Sequence, residues 1–234
     1  MKKEKLSIVI PVYNEEKTIT EIIKKVQAVR ILGIEKEIII VNDCSKDSSD
    51  KIIKNLIRKY KNIKYFEHKI NKGKGAALRT GFLHATGDYV VIQDADLEYN
   101  PNEYSKLLEP ILEGKTSVVY GSRFNKKNKT WAIPTHYIGN RFLSFVLNVL
   151  FLRNISDMET CYKCFTKKIL SRLRLRENDF RIEPEITTQI IKKGFKLIEI
   201  PITYHSRGYD KGKKINWVDG IKALFAIVKY RFEK

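Results

Sequence analysis

Cysteine is scarce in this chain of 234 residues, which contains only Cys44, Cys161 and Cys164. An odd and sparse set of cysteines does not build a disulfide framework, so the small disulfide-rich class is excluded and a reducing compartment is expected. The Cys161 and Cys164 pair has no second Cys-x-x-Cys pair with which to hold zinc, and it lies far from a thioredoxin-like first strand. We therefore interpret both cysteines as packing residues.

Long hydrophobic runs are also lacking. The longest apolar stretch, residues 142–152, is well short of the ~20 residues that span a bilayer, and it contains Ser144 and Asn148. Residues 6–12 follow a charged start but are too few for the hydrophobic region of a signal peptide. We expect no membrane-spanning segment, so any contact with a bilayer is peripheral or supplied by a membrane partner protein.

Acidic residues are in short supply relative to basic ones. The chain has 27 Asp and Glu against 45 Lys and Arg, which gives a formal charge of +18. Such a charge attracts nucleic acid, anionic lipid headgroups or phosphorylated substrates. The basic residues are scattered, and no zinc, helix-turn-helix or RNP-like signature appears. Nucleic-acid binding is therefore a remote alternative, and no nucleic-acid partner is expected.

Apolar runs and helical patterns alternate over the first two-thirds of the chain. The runs predict five strands, at residues 6–12, 37–42, 63–66, 89–93 and 117–120. Strands that are apolar throughout and separated by helices predict an α/β fold, with a parallel sheet covered on both faces. Asn14 is placed to cap the first helix, residues 75–85 read as a helix, and residues 195–204 read as a later strand. No repeat or long linker appears, so one domain over residues 1–234 is expected.

Polar side chains gather directly after three of these strands, at Asn14, Glu15, Asp43 and Asp94. Ligands of open α/β sheets bind at the carboxyl ends of the strands. Three separate strand ends therefore predict one shared crevice.

Asp94 and Asp96 are the sharpest chemical signal, because they follow the apolar strand at residues 89–93. Two carboxylates so close repel unless a cation or solvent separates them. Mg²⁺ and Mn²⁺ favour oxygen ligands and bridge carboxylates to phosphates, and Glu98 adds a third acidic group. The alternative is a solvated acidic turn that leads into a helix opened by Pro101.

Several segments together resemble the family 2 glycosyltransferases with the GT-A fold. In the first half the resemblance rests on residues 11–16, 42–47, 71–75, 87–88 and 94–96. Residues 119–124, 139–141, 157–163, 180–187 and 201–204 look like the polyprenyl-phosphate branch of that family. This branch contains the dolichyl-phosphate mannosyl- and glucosyltransferases and their undecaprenyl-phosphate relatives. The match covers nearly the whole chain.

The resemblance implies a nucleotide-sugar donor of the GDP-mannose or UDP-glucose type. It assigns the nucleobase and ribose to Pro11, Tyr13, Glu15 and Asp43, the nucleotide end of the site to Lys74, and the metal to Asp94, Asp96 and Glu98. The expected cofactor is Mg²⁺ or Mn²⁺, which bridges the donor diphosphate. Some mannosyltransferases of the family carry Gln at the position of Glu98, which leaves the base and the sugar open.

The acceptor expected from the resemblance is dolichyl or undecaprenyl phosphate. Family members that use a hydroxyl acceptor need a general base, often in a Glu-Asp pair, and Glu183-Pro184-Glu185 is not that motif. A phosphate acceptor is already anionic and needs positioning more than deprotonation. Arginines bind phosphate oxygens bidentately. The predicted phosphate-binding residues are Arg123, Arg141, Arg207 and Lys213.

Asp94, Asp96 and Arg123 are the predicted catalytic residues of an inverting hexosyltransferase. Asp157 could orient the acceptor or an arginine, or cap a helix. Each arginine has a plainer interpretation as a surface ion pair. The alternative activity keeps the donor site and uses a saccharide or protein hydroxyl as acceptor.

We expect residues 1–125 to form the donor and metal half, and residues 126–234 the acceptor and membrane-surface half. Apolar stripes at residues 142–152 and 217–232 are more often core than surface. They are also aromatic-rich and flanked by Lys and Arg, which is typical of a surface lying in a bilayer interface. The expected location is therefore peripheral, at the cytoplasmic face of the membrane.

Overall fold

A computed structural model of the protein describes residues 3–124, 134–208 and 216–233. Its strands are β1 Glu4–Val12, β2 Ile34–Asn42, β3 Ile63–Glu67, β4 Tyr89–Ile92, β5 Val118–Ser122, β6 Lys163–Thr166 and β7 Ile198–Pro201. Its α-helices are α1 Ile19–Ala28, α2 Ser49–Lys59, α3 Lys74–His84, α4 Tyr104–Leu112, α5 Pro134–Phe151, α6 Lys167–Leu170, α7 Ile182–Lys192 and α8 Trp217–Phe232. A short 3₁₀ turn, Pro101–Glu103, precedes α4.

The strands form one seven-stranded sheet in the order β3-β2-β1-β4-β6-β5-β7. Neighbouring strands run parallel except at β6, which is antiparallel to both β4 and β5. The predicted α/β fold with a mainly parallel sheet is confirmed. The sequence patterns did not predict β6, and the strand expected over residues 195–204 is limited to Ile198–Pro201.

Alternate residues of the central strands face opposite sides of the sheet, as strand geometry requires. On β1, Ile8 and Ile10 pack in the cluster that contains the buried faces of α1, α2 and α4. Val9 points to the other cluster, which α3 and α7 cover. Both faces of the sheet are therefore buried, and this explains why its strands are apolar throughout.

The predicted capping role of Asn14 is wrong. Helix α1 begins at Ile19 with Thr18 as its N-cap residue, well after the end of β1. Asn14 instead has a φ of 51°, and its Oδ1 atom accepts a hydrogen bond from the backbone N–H of Lys46 at 2.7 Å. Asparagine tolerates this left-handed backbone better than most residues do. The hydrogen bond from Lys46 joins the turn after β1 to the turn after β2.

The apolar residues of α5 and α8 are core only in part: Leu143 and Leu147 of α5 and Ile227 of α8 are buried in a third hydrophobic cluster. Small or polar residues contribute to the buried faces of the two helices, among them Ser144, Ala223 and Ala226. Many of the large apolar side chains are exposed, including Phe142, Phe145, Val149, Trp217, Ile221, Phe225 and Phe232. None of the described helices has both the length and the hydropathy needed to cross a bilayer.

Candidate active site

A cavity of about 690 Å³ lies at the carboxyl ends of β1, β2 and β4, where the sequence predicted one crevice. Nearly all the predicted site residues in the described part of the chain line it. They are Pro11, Tyr13, Glu15, Asp43, Lys74, Asp94, Asp96, Glu98, Arg123 and Arg207. Arg141 is not among the lining residues, and Lys213 lies outside the described residues.

Asp94 and Asp96 both line the cavity in the turn that follows β4. Leu97 adopts a φ of 66°, and the tight turn lets Oδ1 of Asp96 accept a hydrogen bond from the backbone N–H of Glu98 at 3.1 Å. Burial, followed by the nearby carboxylates of Glu98 and Asp94, raises the pKa of Asp96 to about 7. Burial and the neighbouring carboxylates therefore both disfavour the ionised form of Asp96.

This oxygen-rich pair fits a hard divalent cation, which would offset the burial and the carboxylate repulsion that together raise the pKa of Asp96. Glu98 is engaged elsewhere, because its Oε2 accepts from the hydroxyl of Tyr204 at 2.7 Å and its Oε1 from the backbone N–H of Arg207 at 2.9 Å. Within the described ranges, no group of three or more His, Cys, Asp or Glu side chains is arranged to hold one ion. Asp94 and Asp96 are paired as well, with Lys74 and Arg207, and all three carboxylates stay predicted metal ligands.

Lys74 lines the cavity and contacts residues from both halves of the chain. Its Nζ lies 2.9 Å from Oδ1 of Asp94, 2.8 Å from Sγ of Cys161 and 3.6 Å from Oε1 of Glu183. Burial alone would lower the pKa of Lys74, but Asp94, then Cys161 and Glu183, outweigh it and raise that pKa well above its ordinary value. The ammonium is therefore a fixed positive charge beside the proposed metal ligand Asp94.

Two close backbone approaches place Lys74 at the N-terminus of α3. A Cβ on Gly73 would lie 2.5 Å from the carbonyl oxygen of Asn178, and one on Gly75 would lie 2.4 Å from that of Glu177. Gly73 also has a φ of 92°, which favours glycine. The glycines on either side of Lys74 are thus required by contact with residues 177–179.

Asp43 supports the loop that leads to Lys74. Its Oδ1 accepts from the backbone N–H of Lys72 at 2.9 Å, and its Oδ2 accepts from that of Gly73 at 2.7 Å. The ring of His68 lies 2.7 Å from the same Oδ1 and also contacts the hydroxyl of Thr80. Asp43 lines the cavity while holding this loop, and its contact with the nucleotide stays a prediction.

Arg207 lies across the acidic turn. Its Nη2 is 3.1 Å from Oε1 of Glu15 and 3.3 Å from Oδ2 of Asp96. A phosphate acceptor was its predicted partner, and in this structure it is paired with carboxylates of the donor side. It therefore connects the segment after β7 to the ends of β1 and β4.

Arg123 lines the same cavity and is held there by Asp157. Nε and Nη2 of Arg123 donate to the two carboxylate oxygens of Asp157 at 2.8 and 2.7 Å, and both side chains are buried. Asp157 thus contacts an arginine, which was one of the roles predicted for it. Arg141 is exposed, and its guanidinium carbon lies 5.2 Å from the ring centroid of Phe124, which Arg123 also approaches.

Some residues of the site carried little sequence signal. Glu159 and Cys161 line the cavity from the segment before β6, and Tyr204 lines it from the segment after β7. The first two lie within the 157–163 segment that carried the resemblance, but the residue pattern of this segment did not indicate that Glu159 lines the cavity. His68 supports Asp43 from the end of β3, a contact that no local pattern reveals.

A mainly parallel sheet with paired aspartates at its carboxyl edge, and an arginine in the same cavity wall, is the arrangement expected of a GT-A glycosyltransferase. The sequence profile described as Glycosyl transferase family 2 matches residues 7–174. The chain belongs to this family and is a glycosyltransferase.

Curated relatives carry names from the dolichyl-phosphate branch. A dolichol-phosphate mannosyltransferase of Pyrococcus furiosus is 29% identical over 235 residues, with 98% of this chain and 65% of the relative covered. A UDP-N-acetylglucosamine–dolichyl-phosphate N-acetylglucosaminyltransferase of Methanococcus voltae is 29% identical, with 97% of this chain and 96% of the relative covered. The chain thus spans about two-thirds of the length of the first of these two relatives and nearly all of the second.

Solved structures support the fold. Glucosyl-3-phosphoglycerate synthase of Mycobacterium tuberculosis, in complex with Mn²⁺, UDP and phosphoglyceric acid, has a TM-score of 0.75 at 16% identity. That match covers 99% of this chain and 80% of the other. At this identity the likeness concerns the fold alone.

Proposed function

We propose that the protein transfers a hexose from a nucleotide sugar to a polyprenyl phosphate, with inversion at the anomeric carbon. The curated relatives named for dolichyl phosphate support the acceptor. The donor is of the GDP-mannose or UDP-glucose type. Its nucleotide contacts residues from the ends of β1 and β2, and the acceptor phosphate contacts residues from the second half of the chain.

The observation that carries this proposal is that Glu183 is buried and paired with lysines. This carboxylate lies in the region where hydroxyl-using relatives are expected to keep their base, but it is buried, forms an ion pair with Lys163 and lies 3.6 Å from Lys74. Glu183 is also not among the residues that line the cavity, so it is not placed to take a proton from an acceptor hydroxyl there. An acceptor that is already anionic needs no base, and Arg123 at the cavity wall suits a phosphate.

Asp94 and Asp96 are proposed to hold Mg²⁺ or Mn²⁺. When bound, the metal offsets negative charge on the departing nucleoside diphosphate. Lys74 adds a fixed positive charge next to Asp94. Pro11, Tyr13, Glu15 and Asp43 are proposed to contact the base and ribose.

The proposed reaction is a single displacement. An oxygen of the lipid phosphate forms a bond to the anomeric carbon as the bond to the diphosphate oxygen breaks. Arg123 orients the attacking phosphate, and Asp157 keeps the guanidinium in place. Arg141, Arg207 and Lys213 stay proposed phosphate contacts, and Arg207 would have to leave Glu15 and Asp96 to serve as one.

Contact with a membrane surface is proposed for the exposed faces of α5 and α8. Phe145 is 62% exposed and Phe225 is 70% exposed, which is unusual for aromatic side chains of a globular protein. Aromatic residues flanked by basic ones suit the interface of an anionic bilayer. A lipid-linked acceptor would be presented at such a surface, on the cytoplasmic side.

One observation favours a second candidate, transfer to a saccharide or protein hydroxyl. Glu159 lines the cavity, and burial, followed by the charge of Glu183, raises its pKa to about 7. A carboxyl with this pKa suits general base catalysis near neutral pH.

The proposal is tested with radiolabelled UDP-glucose, GDP-mannose and UDP-N-acetylglucosamine, each offered with dolichyl or undecaprenyl phosphate. We expect chloroform-extractable label from one donor, lost on addition of EDTA and in Asp96→Ala. Asp50→Ala, which removes an aspartate outside the cavity, should retain the activity. Label found only in water-soluble glycan would favour the hydroxyl acceptor, and no label from any donor would contradict the donor assignment.

A further inference from the structure

Glu159 lies between two chain neighbours that contact residues of the cavity wall. Two residues before it, Asp157 holds Arg123 at 2.7 Å. Two residues after it, Cys161 lies 2.8 Å from Nζ of Lys74, which in turn lies 2.9 Å from Asp94. The Glu159 backbone therefore lies between the proposed acceptor side, at Arg123, and the proposed donor side, at Asp94.

The segment around Glu159 is firmly held. The backbone N–H of Asp157 donates to Oε1 of Glu199 at 2.9 Å, and the hydroxyl of Thr160 donates to the carbonyl oxygen of Gly121 at 2.7 Å. The side chain of Glu159 reaches the cavity wall from this fixed backbone. Its carboxyl group lies close enough to Arg123 and Lys163 for their charges to act on it.

Among the described residues, no hydrogen-bond donor or cation pairs with the Glu159 carboxyl, and its Oε1 atom is buried without a partner. The other acidic residues of the cavity wall all have partners in the structure. These are Glu15 with Arg207, Asp43 with His68, Asp94 with Lys74, Asp96 with Arg207, Glu98 with Tyr204 and Asp219 with the backbone of Asn216. A buried polar atom without a partner is costly, so a partner for Glu159 is expected from a ligand.

We propose that Glu159 accepts a hydrogen bond from a hydroxyl of the sugar being transferred, and so takes part in selecting the donor sugar. This inference rests on the proposed function, in which the sugar must lie between the departing diphosphate and the attacking phosphate. Glu159 lies between the residues assigned to these two groups. An ionised carboxylate only accepts hydrogen bonds, and sugar hydroxyls donate them.

The charges around Glu159 agree with this role. Burial raises its pKa, Glu183 and Asp157 add to the increase, and Lys163 and Arg123 oppose it. None of these groups is a partner within hydrogen-bond distance among the described residues. A sugar hydroxyl would supply the missing donor and stabilise the carboxylate.

The experiment measures binding by calorimetry in the presence of Mn²⁺ for the wild type, Glu159→Ala and Glu159→Gln. The ligands are UDP-glucose, GDP-mannose and UDP-N-acetylglucosamine, each compared with free UDP or GDP. In Glu159→Ala we expect the Kd of the preferred nucleotide sugar to rise about 10-fold or more, which is the usual loss for a hydrogen bond to a charged group. The Kd of the free nucleotide should not change. Glu159→Gln keeps an acceptor oxygen and should lose less.

Glu109→Gln, a substitution on the exposed side of α4 outside the cavity, is the matched control and should bind as the wild type does. Equal loss of free nucleotide and nucleotide sugar in Glu159→Ala would overturn the inference, because it would indicate a general disturbance of the site. Unchanged sugar binding with loss of kcat, and of the pH limb near 7, would overturn it in favour of a general base. A wild-type protein that binds none of the nucleotide sugars would refute the proposed function itself.

Discussion

Arg123 and Asp157 form a buried ion pair on which the proposed acceptor side depends. Nε and Nη2 of the guanidinium reach both oxygens of the carboxylate, and Asp157 is fully buried. Buried pairs of this kind do not show that charge was the most stable choice at the site. Removal of either partner, however, leaves the other charge buried without a counter-charge.

Asp157→Asn is therefore expected to lower the free energy of unfolding by about 3 kcal/mol, the usual cost of breaking a buried pair from one side. Urea unfolding followed by circular dichroism measures the change. Glu21→Gln breaks the exposed pair with Lys25 and should cost less than about 0.5 kcal/mol. Equal effects of the two substitutions would contradict the structural role given to Asp157.

Substitution of Glu159 is expected to have the opposite effect on stability, because its carboxyl lacks a partner among the described residues. Its pKa is about 7 in the folded protein against an ordinary value of 4.5. The folded state thus binds the proton more tightly, and stability is lost as pH rises from about 4.5 to about 7. Glu159→Gln should leave stability unchanged below this window and raise it above, by up to about 3 kcal/mol at pH 8.

Thermal unfolding at pH 4 and pH 8 tests this expectation. The melting temperature of Glu159→Gln should exceed that of the wild type at pH 8 and equal it at pH 4. Glu109→Gln should follow the wild type at both values. A constant difference across the range would show that the carboxyl titrates alike in the folded and unfolded chains.

At the scale of single residues, the sequence identified most of the acidic and basic side chains of the cavity wall but few of their partners. Asp94, Asp96, Glu15 and Lys74 stand next to predicted strand or helix ends, where ligand-binding residues of α/β sheets gather. The pairing of Arg207 with Glu15 joins positions 192 residues apart, and no local pattern reports such a contact.

Among the elements, helix α3 shows how backbone packing positions a functional side chain. Gly75 lies so close to the segment before α7 that a Cβ would be 2.4 Å from the carbonyl oxygen of Glu177. The backbone N–H of Ala76 also donates to the carbonyl oxygen of Asn178 at 3.1 Å. Lys74 is adjacent, so the position of its ammonium depends on this contact.

Gly75→Ala is therefore expected to destabilise the protein by about 2 kcal/mol, within the range for overpacking, and to reduce glycosyl transfer by displacing Lys74. Thermal unfolding and the radiolabel assay measure the two effects. Gly139→Ala in α5 is the stability control, because a methyl group added at Gly139 would meet no other atom within 4 Å. Normal stability and transfer in Gly75→Ala would contradict the packing argument.

The elements of the sheet were predictable where periodicity and length were sufficient. Strands β1 to β5 were expected close to their observed bounds, because each contains an apolar run, largely buried in all but β3. Strand β6 has only four residues and begins with the buried Lys163, so its pattern resembles a loop. Its antiparallel place between β4 and β5 follows from tertiary pairing, which a local pattern does not encode.

The whole molecule combines a large positive charge with an exposed apolar surface. The chain carries +18, and the outer faces of α5 and α8 expose several aromatic side chains. The composition alone allowed nucleic acid, lipid or phosphate as partner. Exposed aromatics on two packed helices favour a lipid surface, because nucleic acid would not require aliphatic side chains such as Val149 and Ile221 to be exposed.

Sedimentation with vesicles tests this surface. Wild-type protein should bind vesicles that contain phosphatidylglycerol more strongly than neutral vesicles, and added salt should weaken the binding. The double substitution Phe145→Asp and Phe225→Asp should reduce partitioning about 10-fold or more, because two aromatic contacts with the acyl region are lost and negative charge is added. Leu32→Asp is the matched control, since Leu32 is fully exposed on the turn between α1 and β2. If Leu32→Asp reduced binding as much as the double substitution, charge alone would account for the attraction and the two helix faces would have no special part in it.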